Sequence, residues 1–81
     1  MLTTNNAMNV AWLHEAYGLT KKELEVVSLL LGAKSSKQIA FDLQLCVPTV
    51  EIHRAHIRQK MGVNNTAGIF QLIMAGQRAT A

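Results

Sequence analysis

The stretch from Cys46 to Met61 constrains the fold of this chain more than any other. Its apolar residues Val50, Ile57 and Met61 recur at i, i+7 and i+11, and on a helical wheel Ile57 and Met61 fall within about 20° of Val50. That pattern predicts a helix with one buried stripe. Pro48 stands where a helix begins, because first-turn N–H groups lack intrahelical partners and a proline sacrifices nothing there. Positively charged side chains cluster beside the stripe. The rest of the chain must therefore bury one side of this helix and leave the opposite side at a surface.

The chain has 81 residues, enough for one small domain. Aromatic residues are few (Trp12, Tyr17, Phe41 and Phe70), so a core has to come from Leu, Ile, Val, Met and Ala. That set suits packed helices better than a sheet, and an all-α domain is expected. Eight Lys and Arg against five Asp and Glu give a formal charge of +3, mild enough to fit nucleic acid, an acidic partner or a plain soluble surface. The single cysteine, Cys46, excludes an intramolecular disulfide and suits a reducing compartment. The N-terminus lacks the basic start and apolar run of a signal peptide, and no stretch approaches the roughly 20 apolar residues of a membrane span. A cytoplasmic protein without a membrane segment is the expectation.

Helix punctuation divides the chain. Residues 1 to 6 read as a loose end. From about Ala7 to Tyr17 the residues Met8, Ala11, Trp12 and Ala16 fall at helical spacing, and Gly18 suits a helix C-terminus. Trp12 is expected to pack on the body of the domain or on a second subunit. Thr20 with Glu23 fits a capping box opening a helix at Lys21, whose apolar set is Leu24, Val26, Val27, Leu30 and Leu31, with Gly32 as its stop. Ser35 with Gln38 offers a second box opening a brief helix with Ile39, Ala40 and Leu43 inside. Gln44 to Val47 then forms a tight connection in which Leu45 plugs the gap. A short helix, a turn and a longer helix make a helix-turn-helix arrangement, with small Ala40 permitting close approach.

After Met61, Gly62 ends the long helix and Asn65 caps the next one, expected over residues 66 to 75 with Gly76 at its end. Ile69, Phe70, Leu72 and Ile73 there, with Met74, cover roughly a 200° arc, wider than the ~100° that burial on one side requires. The surplus face predicts a second contact surface, most simply the same helix of another copy, so these four residues are dimerisation candidates. The expected organisation is a tail and short leading helix over 1–18, a domain over 19–76 and a tail over 77–81.

From Leu19 to about Ala75, 57 of 81 residues, the chain resembles the DNA-binding domain of the LuxR/GerE-type transcription regulators. The residues that carry the resemblance are Leu19-Thr20, Glu23, Glu25-Val26-Val27, Ser35, Lys37-Gln38-Ile39-Ala40, Leu43, Leu45, Thr49-Val50, His53, Ile57 and Lys60-Met61-Gly62-Val63. The resemblance implies a four-helix helix-turn-helix domain, here with an additional N-terminal helix. The helix over 48–61 would enter the major groove of double-stranded DNA, and the last helix would commonly mediate dimerisation. The chain has no room for a receiver or ligand-binding domain, so the implied protein is a stand-alone, homodimeric regulator with no cofactor and no small-molecule ligand.

Opposite the stripe, the wheel places Gln59, Ile52 and Ala55, flanked by Glu51 and Arg58 on one edge and His56 on the other. Docked in a groove, Arg58 or Gln59 can read guanine or adenine edges, Ile52 and Ala55 can touch thymine methyls, and Glu51 can accept from cytosine N4. Phosphate contacts need only positive charge or free donors at helix starts, which nominates Ser36, Lys37, Thr49, Arg54 and Lys60, with Lys34 a lesser addition. The chain also departs from the family pattern. Glu51 stands where Lys or Arg is usual, Ala55 where a polar side chain is common, Cys46 where a capping Ser is usual and Thr66 where Arg is common. Gly68 lies inside the last helix. These departures open a second reading, an interaction protein that pairs with a heterologous regulator and modulates it without strong DNA binding of its own. Cys46, His53 and His56 form a poor metal set, since His53 belongs to the family pattern and no carboxylate supports them. No nucleophile–base pair, phosphate loop or paired carboxylate marks an enzyme.

Overall fold

The structure, a computed structural model, describes the backbone of residues 10–80 and the side chains of residues 10–76. Among the described residues there are five helices and no strand: α1 Trp12–Tyr17, α2 Lys21–Leu31, α3 Ser36–Leu43, α4 Val47–Met61 and α5 Thr66–Thr80. This is the expected all-α class, four helices with a short leading helix. Helical spacing predicts α1 from about Ala7, but Val10 and Ala11 are not part of the helix, which begins only at Trp12; residues 7 to 9 of that expectation and the loose end at residues 1 to 6 lie outside the described residues.

Both capping boxes form. Thr20 Oγ1 accepts from the Glu23 backbone N–H at 3.2 Å while the Glu23 carboxylate accepts from the Thr20 N–H at 2.9 Å. Ser35 and Gln38 repeat the pattern at the start of α3, with distances of 3.2 and 2.9 Å. Each box satisfies two donors that a bare helix start would leave without partners. The Asn65 side chain caps α5, accepting from Gly68 N–H at 2.8 Å. Helix α4 begins differently. Cys46 is its N-cap and makes no side-chain cap bond, and Pro48 occupies the first turn.

The core is built from every helix. Leu13 of α1, Leu19, Val26, Val27 and Leu30 around α2, Ile39 and Ala40 of α3, Val50, Ile57 and Met61 of α4, and Ile69 and Ile73 of α5 are buried together. The stripe that defined α4 in the sequence is thus the part of α4 that the core holds. Between α3 and α4, Gln44 takes a left-handed conformation, φ 59°, and the Leu45 N–H returns to the Ala40 carbonyl at 2.8 Å. Leu45 packs against the core there, and buried Ala40 lets the two helices approach. This is the helix-turn-helix. Gly62 closes α4 at φ 71°, a conformation that a side chain disfavours.

The last helix departs from expectation in length. It continues through Gly76 to Thr80 instead of stopping at residue 75, so residues 77 to 80 are helical rather than tail. The physical reason lies in α1. A Cβ at Gly76 would collide with the Trp12 indole, so the glycine is a contact that lets the ring approach α5 closely, not a terminator. Gly68 serves similarly: a Cβ there would sit 2.7 Å from the Val63 Cβ, so the glycine allows the turn after α4 to close on α5. Both glycines exchange about 1 kcal/mol of helix propensity for close packing.

Trp12 is the only tryptophan and reports directly on this seam. Gly76→Ala should displace the ring: the emission maximum should move to longer wavelength while the far-ultraviolet helical signal is retained. An unchanged spectrum would show that the ring does not rest on Gly76.

Candidate nucleic-acid interface

Because the core grips Val50, Ile57 and Met61, the opposite face of α4 points outward. Glu51, Ile52, Ala55, His56 and Gln59 are exposed, and Ile52 keeps 55% of its surface although nothing about its apolar chain favours that. Arg58 is half-buried at the edge of the face. The five base-reading candidates therefore share one side of one helix, free of the core.

The phosphate candidates divide. Lys37, on the first turn of α3, is exposed, and among the described residues neither it nor Arg58 has an ion-pair partner. Ser36 and Thr49 are half-buried at the first turns of α3 and α4, where free backbone N–H groups also lie. Arg54 and Ser36 are brought together, with Arg54 Nη1 donating to Ser36 Oγ at 2.8 Å. Nη2 of the same guanidinium donates to Thr66 Oγ1 of α5 at 2.7 Å. Lys60 is turned inward, its ammonium donating to Glu23 Oε1 at 2.7 Å and to the Gly18 carbonyl at 3.3 Å. Lys34 pairs with Asp42 at 3.2 Å. The meeting of Arg54, Ser36 and Thr66 was not legible as a cluster, since these residues are 12 and 18 positions apart. One signal was present: the wheel sets Arg54 only about 40° from Val50, on the core side of α4.

Among the described residues Glu23 is the one buried charged side chain, 4% exposed. Burial opposes its ionisation. The Lys60 hydrogen bond, the Thr20 N–H and the positive charges of Lys60 and His56 outweigh that, and its carboxyl is held below the ordinary carboxylate value. This pair ties the last turn of α4 to the first turn of α2.

The dimerisation candidates also divide. Ile69 and Ile73 are buried in this chain's own core, while Phe70 and Leu72 are half-buried and Met74 is 50% exposed. Of these apolar residues of α5, only Phe70, Leu72 and Met74 keep surface outside the core. The breadth of the apolar arc has a local cause as well, since α1 covers the Gly76 side through Trp12. Phe41 of α3, 84% exposed beside Lys37 and Gln38, is a surface aromatic that helical periodicity did not single out. Cys46 is exposed and unbonded. Among the described residues no three His, Cys, Asp or Glu side chains form a metal-binding group, and no helix is long and apolar enough to cross a membrane.

Residues 17–74 match the family described as bacterial regulatory proteins, luxR family. The chain belongs to that family. The match covers the helix-turn-helix and α5 up to Met74, in agreement with the resemblance drawn from the motif residues. Among similar proteins, the transcriptional regulatory protein TdiR of Thauera aromatica is 34% identical over 58 residues, 72% of this chain and 26% of that protein. FixJ of Rhizobium meliloti, also a transcriptional regulatory protein, is 33% identical over 58 residues, 72% of this chain and 28% of its own length. For UhpA of Escherichia coli the figures are 36% over 58 residues, 72% and 30%. This luxR-family chain thus spans about a quarter to a third of the length of these relatives. No solved structure gives a significant match.

The Glu23–Lys60 pair makes a pH prediction. A carboxyl with a lowered folded value contributes stability that is complete above its unfolded value and is lost as pH falls through the folded one. Glu23→Gln should therefore flatten the acid limb of a stability–pH profile. Lys60→Met, which leaves the carboxylate buried without its cation, should cost about 1–3 kcal/mol near neutrality. Chemical denaturation across pH checks both, and parallel acid limbs for wild type and Glu23→Gln would contradict the assignment.

Proposed function

We propose that this luxR-family domain is a transcription regulator module that binds double-stranded DNA by laying the outward face of α4 in the major groove. The observation that carries this reading is the rotation of α4: its core stripe leaves Glu51, Ile52, Ala55 and Gln59 exposed together, with Arg58 at the edge. Lys37, Ser36 and Thr49 lie at the first turns of α3 and α4, the places from which backbone N–H groups and cations reach phosphates. The role is binding rather than catalysis, in the cytoplasm, where bacterial DNA lies. Pairing of two copies through Phe70, Leu72 and Met74 of α5 would set two α4 helices against half-sites about one helical turn apart.

A second reading has one specific observation in its favour. Lys60 and Lys34 have carboxylate partners within the chain, and Arg54 is occupied by hydroxyls, so the cationic grip around a face that also carries Glu51 is modest. On that reading the domain pairs through α5 with a heterologous regulator and modulates it.

Selection from a random duplex pool, followed by affinity measurements over a range of salt, separates the two. The DNA reading predicts a roughly twofold-symmetric site, affinity that falls steeply with salt, and sedimentation of a two-copy complex. Gln59→Ala should lose about 1–3 kcal/mol of discrimination at one base pair of each half-site while keeping the salt slope. A folded protein that retains no duplex even at low salt would contradict the DNA reading and favour the second.

A further inference from the structure

Arg54 was nominated by its charge, yet its environment describes a different task. Its two terminal nitrogens donate to Ser36 Oγ at 2.8 Å and Thr66 Oγ1 at 2.7 Å, and its Nε is buried with no partner among the described residues. Ser36 is the first residue of α3 and Thr66 the first of α5. One side chain from the middle of α4 thus touches the opening turn of both neighbouring helices. Neither partner is a carboxylate, so the contacts are directional hydrogen bonds rather than charge neutralisation. A planar guanidinium can hold two acceptors in a fixed fork, which a lysine ammonium of similar charge cannot reproduce. A hydroxyl that accepts from the guanidinium also has its own proton turned elsewhere, free to donate.

We infer, resting on the DNA-binding reading of this face, that Arg54 is a positioning residue for DNA contact: it acts through Ser36 and Thr66 instead of gripping a phosphate itself. It holds the first turn of α3 against α4, which aims the Ser36 hydroxyl proton and the Lys37 side chain at the backbone beside the groove. It also locks the first turn of α5 to the same point. The pose of the reading helix and the position of the pairing helix are therefore set by one fork, and a change in α5 is transmitted to the phosphate-facing turn of α3.

The test compares wild type, Arg54→Lys, Arg54→Ala and Thr66→Val on the duplex recovered by selection. Affinity is measured as a function of salt at a temperature where melting curves show every variant folded. A parallel arm follows amide hydrogen exchange in the first turns of α3 and α5 without DNA. A positioning role predicts that Arg54→Lys and Arg54→Ala both lose about tenfold or more in affinity with matching salt slopes, because each loosens the same Ser36 and Lys37 contacts whether or not residue 54 keeps its charge. Thr66→Val should weaken binding severalfold and add little on top of Arg54→Ala, since both break the same fork. Exchange should accelerate in both first turns in Arg54→Lys. The inference is overturned if Arg54→Lys binds within about twofold of wild type while Arg54→Ala shortens the salt slope by about one, the signature of a direct phosphate contact. It is also overturned if all variants bind as wild type does. Absence of DNA binding by wild type would instead defeat the reading on which the inference rests, whereas unchanged exchange in Arg54→Lys would defeat the fork alone.

Discussion

Burial of Val50, Ile57 and Met61 governs this domain, because it fixes the rotation of α4 about its own axis. A helix held by one narrow stripe has a single outward face, and α2, α3 and α5 supply the surface that the stripe covers. Helix α2 brings Val26, Val27 and Leu30, α3 brings Ile39 and Ala40, and α5 brings Ile69 and Ile73. Side chains of this size each contribute roughly 1.5–3 kcal/mol when fully buried, so turning α4 to expose the stripe would remove several such contributions together. The polar ties are directional additions to that grip. Lys60 to Glu23 holds the end of α4 to α2, and Arg54 to Ser36 and Thr66 holds its middle to α3 and α5. Charge that might have served the surface is thereby drawn into the frame.

That division shapes what the outward face is. It carries an exposed isoleucine, an alanine and an amide at its centre, with the Glu51 carboxylate and Arg58 at one edge and Lys37 on the adjoining helix. Such a surface suits reading by shape and hydrogen bonds more than broad electrostatic attachment, since few free cations adjoin it. The matched stretch covers 26% of the length of TdiR and 28% of that of FixJ. Within this domain, the surface that the core leaves open includes the outward side of α4, the first turn of α3 and one side of α5.

Much of this was legible in the linear chain because it is local. Capping boxes span four residues, so Thr20 with Glu23 and Ser35 with Gln38 announced two helix starts, and Asn65 announced a third. The buried stripe of α4 and its outward face follow from helical period alone. Tertiary contact decided the rest. Gly76 has the identity of a helix stop, and only the Trp12 ring lying on it explains why α5 continues. Charge nominated Arg54 and Lys60 as phosphate contacts, but their partners lie 12 to 37 positions away, beyond any local pattern. Ile69 and Ile73 read as part of a wide apolar arc, and only the packed core separates them from Phe70, Leu72 and Met74, which keep exposed surface.

The central claim is that the face opposite the α4 stripe is the one that meets DNA. Titration of a short duplex into the isotope-labelled protein, followed by amide chemical shifts, tests it most directly. The account predicts that the largest changes fall on Glu51, Ile52, Ala55 and Gln59 and on the first turn of α3, with the α1–α5 seam around Trp12 little affected. Changes concentrated on that seam or on α2, with the outward face of α4 unmoved, would contradict it.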